Sequence, residues 1–504
     1  MQIDNRIRIP VRSLTDQQLE DLQREFTYVN PAYEKTRKRL GYVPKGVPKV
    51  IASWQLGRGE LTLPRGGLER VKEVLGALAL ADYEDRTTRG DPDLAGQIPD
   101  HCLELRGYQN QVVEVVKARR TALIRSPGGS GKTTIGYALA AALKLPTLVV
   151  VPTEKIFRQW VREVKKNFDM DPLDVGVIQG ARRNIRPFTV GMQQTLRNCA
   201  SDYANVFGLV IGDEAQRFAA ETFFDVIDLF HAEYRLGLTM NEERADEKEF
   251  LIYDVFGPVA LEVDRKMLIE SGAIIDAEVR VVPTDFRADW YRRMPFKKRF
   301  FKQVQEKFTK QLIEDEARNE LVMKMLEWCV REDQPTITLA WRREHAMRIN
   351  AESIRCGWNS GLLLGGADDQ EEFARTESEL SDGVLRQAVG TYQAVGVGFD
   401  LPIVSRGIFA APCVSADGQQ QFDQFCARFE RPDVKSGKQN SIVYYLWDRH
   451  VNGPTALKRL VSWRSKVSVL NSAGEWAPAR QYIRELKDAD QDDDGQTALD
   501  IFNA

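Results

Sequence analysis

One short stretch constrains this chain more than any other: Ser126-Pro127-Gly128-Gly129-Ser130-Gly131-Lys132-Thr133-Thr134. An apolar run, Ala122-Leu123-Ile124, leads into it, and apolar residues at helical spacing (Ile135, Ala138, Leu139, Ala142) follow. The order is strand, glycine-rich turn, helix. Glycine lets successive backbone N–H groups converge on an anion with no side chain in the way. The start of the helix adds its partial positive charge. Lys132 would reach the outer phosphates of a nucleotide, and the Thr133 hydroxyl would hold Mg²⁺. The usual pattern wants glycine at the first position, where this chain has Ser126. The candidate phosphate-binding residues are therefore Ser126, Gly128, Gly129, Ser130, Gly131, Lys132, Thr133 and Thr134.

Two acids extend the site. Asp213-Glu214-Ala215-Gln216 follows the apolar strand Gly208-Leu209-Val210-Ile211. At the end of a strand downstream of a phosphate loop, Asp213 would bind Mg²⁺ and Glu214 would position and polarise an attacking water. Far downstream lies Gln424-Phe425-Cys426-Ala427-Arg428-Phe429-Glu430-Arg431-Pro432. Arginines three apart on a helix share a face. Arg428 and Arg431 would stabilise charge on the leaving phosphates, which makes a two-part ATPase site.

Length and charge set the frame. A chain of 504 residues has room for two to four domains. The net charge of −3 supplies no global basic field, so any nucleic-acid binding must use local patches. Six scattered cysteines with no CxxC pair argue for a reducing compartment and against a zinc ribbon. Four unclustered histidines argue against a histidine-rich metal nuclease centre. No apolar run approaches the roughly 18 residues of a membrane span, and the N-terminus is polar, so the expected location is the cytoplasm with no membrane partner.

The alternation of elements predicts an α/β chain with parallel sheets. Residues 1–100 read as a small α+β module. Ser13 or Thr15 caps a helix through Leu19, Leu22 and Phe26, strands fall at Lys49–Trp54 and Glu60–Leu63, and a helix starts at Pro64-Arg65-Gly66. Its basic loops and neighbouring aromatics fit either DNA contact or a solvated charged face; residues 84–100 read as a linker. Strands at Ala122–Ile124, Thr147–Val151, Val175–Ile178, Thr189–Gly191, Leu209–Ile211 and Tyr234–Leu238 place a first α/β domain at 101–283. A second, at 284–465, carries strands at Thr336–Ala340, Gly361–Leu364, Gln387–Gly390, Gly407–Ala410 and Ser441–Leu446. Between them Arg292, Arg293, Lys297, Lys298 and Arg299 interleave with Trp290, Tyr291, Phe296, Phe300 and Phe301, a candidate nucleic-acid contact. Residues 466–504 form a C-terminal extension whose acidic tail reads as disordered. There Asp490, Asp492, Asp494 and Gly495 imitate the start of a calcium loop, but the position that needs a bidentate glutamate is Ile501.

Taken as an ordered series, these segments resemble superfamily 2 helicases of the DEAD/DEAH type, most closely the branch containing XPB and the phage branched-DNA helicase UvsW. Leu105-Arg106-Gly107-Tyr108-Gln109 resembles the adenine-reading segment, with Arg106 and Gln109 at the base. The phosphate loop resembles motif I. Val151-Pro152-Thr153, with Phe157, Gln159 and Trp160, resembles motif Ia, and Thr189-Val190-Gly191-Met192-Gln193-Gln194-Thr195-Leu196 the next strand-binding motif. Asp213 to Gln216 is a DEAQ form of motif II. Leu236-Gly237-Leu238-Thr239 opens motif III, which departs from the usual Thr-Ala-Thr-Pro at Thr239-Met240-Asn241-Glu242. Glu243-Arg244-Ala245-Asp246 and Phe256-Gly257-Pro258 continue the XPB-like pattern. Gly390-Thr391-Tyr392-Gln393, followed by Gly398-Phe399-Asp400-Leu401-Pro402, resembles motif V, and Gln424 to Arg431 motif VI, with Ala427 where glycine is usual. The basic stretch near 290–302 falls where XPB-like proteins carry a thumb-like element.

The resemblance implies two tandem RecA-like domains that bind ATP and Mg²⁺. It adds Gln216, Gly398, Asp400 and Gln424 to the nucleotide site, and Pro152, Thr153, Gln193, Thr195 and Thr391 to the nucleic-acid contacts. The implied activity is that of an ATP-dependent DNA helicase or translocase on duplex or branched DNA, in repair, recombination or fork remodelling. Two alternatives stay open: an RNA helicase of the same superfamily, and an ATP-gated DNA clamp or recruitment subunit, motivated by the altered motif III. The N-terminal module and the acidic tail are the candidate surfaces for protein partners.

Overall fold

The computed structural model describes residues 1–44, 46–76, 83–215, 226–240, 247–299, 301–366, 368–396, 401–411, 418–433 and 436–488. The chain divides into two compact units, Met1–Ser271 and Gly272–Ala504.

The first unit begins with a small sheet. Ile7, Ile9, Leu61 and Leu63 alternate with polar neighbours and drive strands β2 (Arg6–Pro10) and β6 (Glu60–Pro64) together. Strands β1 (Gln2–Ile3), β5 (Gln55–Gly57) and β7 (Glu84–Asp85) complete the order β5-β6-β2-β1-β7. Helices Asp16–Glu25 and Leu68–Leu75 contribute Leu22 and Val71 to its core, with Phe26 between them in sequence. Of the two expected caps, Ser13 and Thr15, it is Thr15 that caps the first helix, reciprocally with Gln18. The strand expected at Lys49–Trp54 is present as β4 (Val50–Ala52), and it pairs with β3 (Thr27–Val29). The Ser53 N–H donates to Phe26 O and the Trp54 indole to Thr27 Oγ1, and these bonds draw the segment away from the β5–β6 hairpin.

The segment expected as a linker at 84–100 is bound. β7 pairs with β1, and Thr88 exchanges backbone hydrogen bonds with His231 and Glu233.

The first large sheet follows, with strands β8 (Thr121–Arg125), β9 (Thr147–Val151), β10 (Gly176–Gln179), β11 (Arg182–Asn184), β12 (Phe188–Met192), β13 (Leu209–Asp213), β14 (Tyr234–Thr239) and β15 (Val259–Glu262). Their order is β11-β10-β12-β9-β13-β14-β8-β15, and every neighbouring pair but β10–β11 is parallel. Central strands such as Thr147–Val151 are buried at every position, which is why they read as unbroken apolar runs.

The second unit is a second eight-stranded sheet: β16 (Glu278–Thr284), β17 (Thr336–Ala340), β18 (Ser360–Leu363), β19 (Gln387–Thr391), β20 (Arg406–Phe409), β21 (Ile442–Asp448), β22 (Val467–Leu470) and β23 (Trp476–Pro478). The order is β18-β19-β17-β20-β21-β16-β22-β23, with only β22–β23 antiparallel. The division therefore falls near residue 271 rather than 283, because β16 lies between β21 and β22. Residues 467–478 are the edge of this sheet, not an extension beyond it. The basic stretch forms two short helices, Asp289–Arg292 and Phe296–Arg299. Residues 489–504, which hold most of the acidic tail, lie outside the described residues. Among the described residues, no helix is long and apolar enough to cross a membrane.

Candidate nucleotide site

Parallel strands all end on the same edge of a sheet, and loops that leave that edge can build one site. In the first unit the phosphate loop follows β8, Asp213 ends β13, Thr239 ends β14, Pro152-Thr153 follow β9 and Gln193 follows β12. Sequence distance disappears here: Asp213 and the loop are separated by one intervening strand.

The loop has the geometry its glycines demand. Gly129 and Gly131 have φ of 83° and 74°. A Cβ on Gly131 would also lie 2.7 Å from Gln109 Nε2. Helix Lys132–Leu143 starts at Gly131 with no side-chain cap, so its first N–H groups face the loop without a capping side chain. Lys132 Nζ donates to Ser126 O at 3.3 Å and stands 3.7 Å from Glu214 Oε1. The Ser126 and Ser130 hydroxyls are buried with no partner among the described residues. Buried hydroxyls are normally satisfied, so an anion in the cradle suits them.

The acids are held by an unexpected residue. The buried Trp160 indole donates to Asp213 Oδ2 at 2.8 Å, and the Glu214 N–H donates to Asp213 Oδ1 at 2.9 Å. Glu214 has φ of 54°, a left-handed conformation uncommon outside glycine. Burial, and then the nearby Glu214 carboxylate, raise the Asp213 pKa to about 6 against the opposing pull of Lys132 and the indole. A divalent cation would relieve that strain on the ionised form. Among the described residues, no three acidic, histidine or cysteine side chains gather to hold a metal alone. Asp213 with Thr133 fits Mg²⁺ that keeps its phosphate and water ligands. Trp160 belongs to the stripe Phe157, Trp160, Val164, Phe168 of helix Glu154–Phe168 and reads as core or as part of motif Ia. The packing of that helix over β9 and β12, with β9 next to β13 in the sheet, brings it to the acid.

Gln109 is buried. Its Oε1 accepts from the Arg106 N–H at 3.0 Å, its Nε2 donates to Ser130 O at 3.3 Å, and the Tyr108 hydroxyl donates to the same carbonyl at 2.7 Å. The predicted base-reading segment is thus tied to the phosphate loop. Beside it lies an open pocket of about 430 Å³ lined by Leu103, Glu104, Leu105, Arg106, Gln109, Thr134 and Lys166. Its lining mixes apolar stems with an amide and an exposed guanidinium, a fit for a flat heterocycle.

The expected nucleic-acid residues of the first unit are engaged locally. Thr153 Oγ1 accepts from the Ile156 N–H and Thr195 Oγ1 from the Gly180 N–H. Gln193 is buried, and Pro152 is half-buried. In the second unit Thr391 is buried and caps the turn at Ala394, while Arg428 Nη2 donates to Gly396 O at 2.9 Å. Arg431 is half-buried. Arg292, Arg293 and Lys298 are exposed, but Arg299 is spent on Met294 O and Arg292 O and lies over the Tyr291 ring. Gln216, Asn241 to Asp246, Gly398, Phe399, Asp400 and the side chains of Gln424, Phe296 and Lys297 lie outside the described residues.

Residues 102–240 match the family model "type III restriction enzyme, res subunit". A DNA 3'-5' translocase XPB2 of Sulfurisphaera tokodaii is 34% identical over 157 residues, 31% of this chain and 35% of that protein. A DNA 3'-5' helicase XPB of Mycobacterium tuberculosis is 31% identical over 193 residues, 36% of this chain and 35% of that protein. Over these stretches the chain is similar to XPB-type superfamily 2 DNA helicases and translocases. The matches span about a third of the length of those relatives. The Pyrococcus furiosus Hef helicase domain shares the fold, with a TM-score of 0.50 and 15% identity over 70% of this chain and 98% of that one. By fold, the two eight-stranded sheets are tandem RecA-like domains.

Proposed function

We propose that this chain is an ATP-dependent DNA helicase or translocase that acts on duplex or branched DNA. One observation carries the reading: Lys132, Glu214 and the indole-held Asp213 meet at the edge where the phosphate loop opens. In that arrangement the loop N–H groups and Lys132 bind the phosphates, and Thr133 and Asp213 hold Mg²⁺, which supplies charge neutralisation at the phosphates. Glu214, pre-set by its left-handed backbone, orients the attacking water. Gln109 and Arg106 receive the base, with Gln216, Gly398, Asp400 and Gln424 as further nucleotide contacts. Arg428 and Arg431 donate to the charge that develops on the phosphates.

Two sequence relatives named for work on DNA support DNA over RNA as the track. Pro152, Thr153, Gln193, Thr195, Thr391 and the basic stretch Arg292, Arg293, Lys297, Lys298 and Arg299 are proposed to touch it through its backbone. Recognition by backbone is structural and salt-dependent.

The test is ATP hydrolysis by the wild type and Glu214→Gln, with no nucleic acid, single-stranded DNA, duplex, a four-way junction or RNA. Strong stimulation by duplex or junction, lost in the variant, is the expected result. ATP binding without stimulated turnover on any DNA would overturn the motor reading.

A further inference from the structure

Residues 31–50 carry six basic side chains and one acidic one, in a chain whose net charge is −3. The helix Pro31–Leu40 occupies the connection between β3 and β4. Asn30 binds these parts together: its side chain accepts from the Ala32 N–H at the helix start and donates to Pro48 O, and its N–H donates to Lys49 O.

The two faces of this element differ. Tyr28, in the middle of β3, turns inward. Its ring stacks on Phe250 at 4.0 Å, its hydroxyl donates to Asp254 Oδ1 at 2.7 Å, and it accepts from Arg70 Nη1 at 2.6 Å. Asp254 is buried and also pairs with Arg70. Gly66 completes the seam, since a Cβ there would lie 2.5 Å from Tyr253 O and Gly257 N. Arg65 donates to Ala232 O and Glu233 O, and Arg235 to Asn5 O. The small module is therefore fastened to the first large sheet through buried groups.

Alternation along a strand then sends the next residue outward. Val29 is 63% exposed and pairs in register with Val50, which is 44% exposed. At the other end of the helix Leu40 and Tyr42 are 44% and 65% exposed. Lys38 and Lys49 are exposed, with no acidic partner among the described residues. An apolar pair, an exposed aromatic and unpaired cations on one anchored element match nucleic acid: cations meet phosphates, and the ring and valines meet bases or sugars.

We propose that the β3–β4 ribbon and helix Pro31–Leu40 form a nucleic-acid contact carried rigidly by the ATP-binding unit. This rests on the DNA-motor reading and adds a contact outside the large sheets. The experiment compares the wild type, Lys38→Glu/Lys49→Glu and Tyr42→Ala for binding a fluorescein-labelled DNA fork by anisotropy between 50 and 200 mM salt. Hydrolysis of ATP without nucleic acid and thermal melting serve as controls for fold. Loss of two phosphate contacts weakens fork binding about 30-fold at 0.15 M salt and lowers the salt slope by about 1.8. Tyr42→Ala weakens binding with the slope unchanged. Wild-type affinity and slope in the charge variant would overturn the proposal and leave the face to a protein partner. A wild type that does not bind the fork at all would instead overturn the motor reading beneath it.

Discussion

Replacing Trp160 by phenylalanine isolates the hydrogen bond that holds Asp213, the acid proposed to bind Mg²⁺. The phenyl ring keeps the aromatic packing against Tyr137 and Phe188, whose centroids lie 5.3 and 6.3 Å from the indole. It deletes one donor, the indole N–H that is 2.8 Å from Asp213 Oδ2. A hydrogen bond to a charged group is worth about 1.5–3 kcal/mol, and a buried oxygen left unpaired bears the full desolvation cost. With the partner fully buried, the upper half of that range applies. At about 1.4 kcal/mol per factor of ten, kcat/KM for ATP should fall roughly 40- to 140-fold. The Mg²⁺ concentration for half-maximal activity should rise, while nucleotide binding without metal stays within twofold. The assay is DNA-stimulated hydrolysis across a Mg²⁺ titration, with thermal melting to confirm the fold. A folded variant with an unchanged Mg²⁺ midpoint and kcat/KM would refute the assignment of Trp160 as a positioning residue.

Three further outcomes follow from other parts of the molecule. Gly131→Ala should weaken nucleotide binding roughly 5- to 30-fold by equilibrium dialysis, because the left-handed backbone costs an alanine about 1–2 kcal/mol, and its methyl would press on Gln109 Nε2. Arg318→Met should destabilise the second unit by about 3–5 kcal/mol in urea, since Arg318 and Asp448 are both fully buried and Asp448 also accepts from Thr284 Oγ1. His345, buried against Asn319 near Arg318 and Arg348, has its pKa pushed down to about 3 from the ordinary 6.5, chiefly by burial. Its neutral form is favoured in the fold, so its contribution is complete above pH 6.5 and erodes as the pH falls toward 3. Wild type should lose about 2–3 kcal/mol more than His345→Gln between pH 7 and pH 4.5, measured by denaturant titration at each pH.

Much of this site was legible before any coordinates. The phosphate loop announces itself because its function is local: the residues that cradle an anion must be consecutive, and glycine is required where the backbone turns left-handed. Asp213-Glu214 is legible for the same reason, at the end of an apolar strand. The central strands are legible because parallel strands buried on both faces become unbroken apolar runs. Strands β1 and β2 are short and lie ahead of the first helix, and β16 begins Glu278-Val279-Arg280, so neither shows such a run. That is why the division between units fell about a dozen residues from its expected place.

What the sequence determined alone was therefore the chemistry held in contiguous residues and the elements that present it. What only the tertiary structure decided was which distant side chains serve that chemistry. Trp160 becomes the partner of Asp213 because its helix packs over β9 and β12, beside the strand that ends in the acid. Tyr28 becomes an anchor and Val29 an exposed contact because a strand shows its successive residues to opposite faces. Neither pairing leaves a mark in a linear chain, since each is fixed by burial and register across 53 and 226 positions.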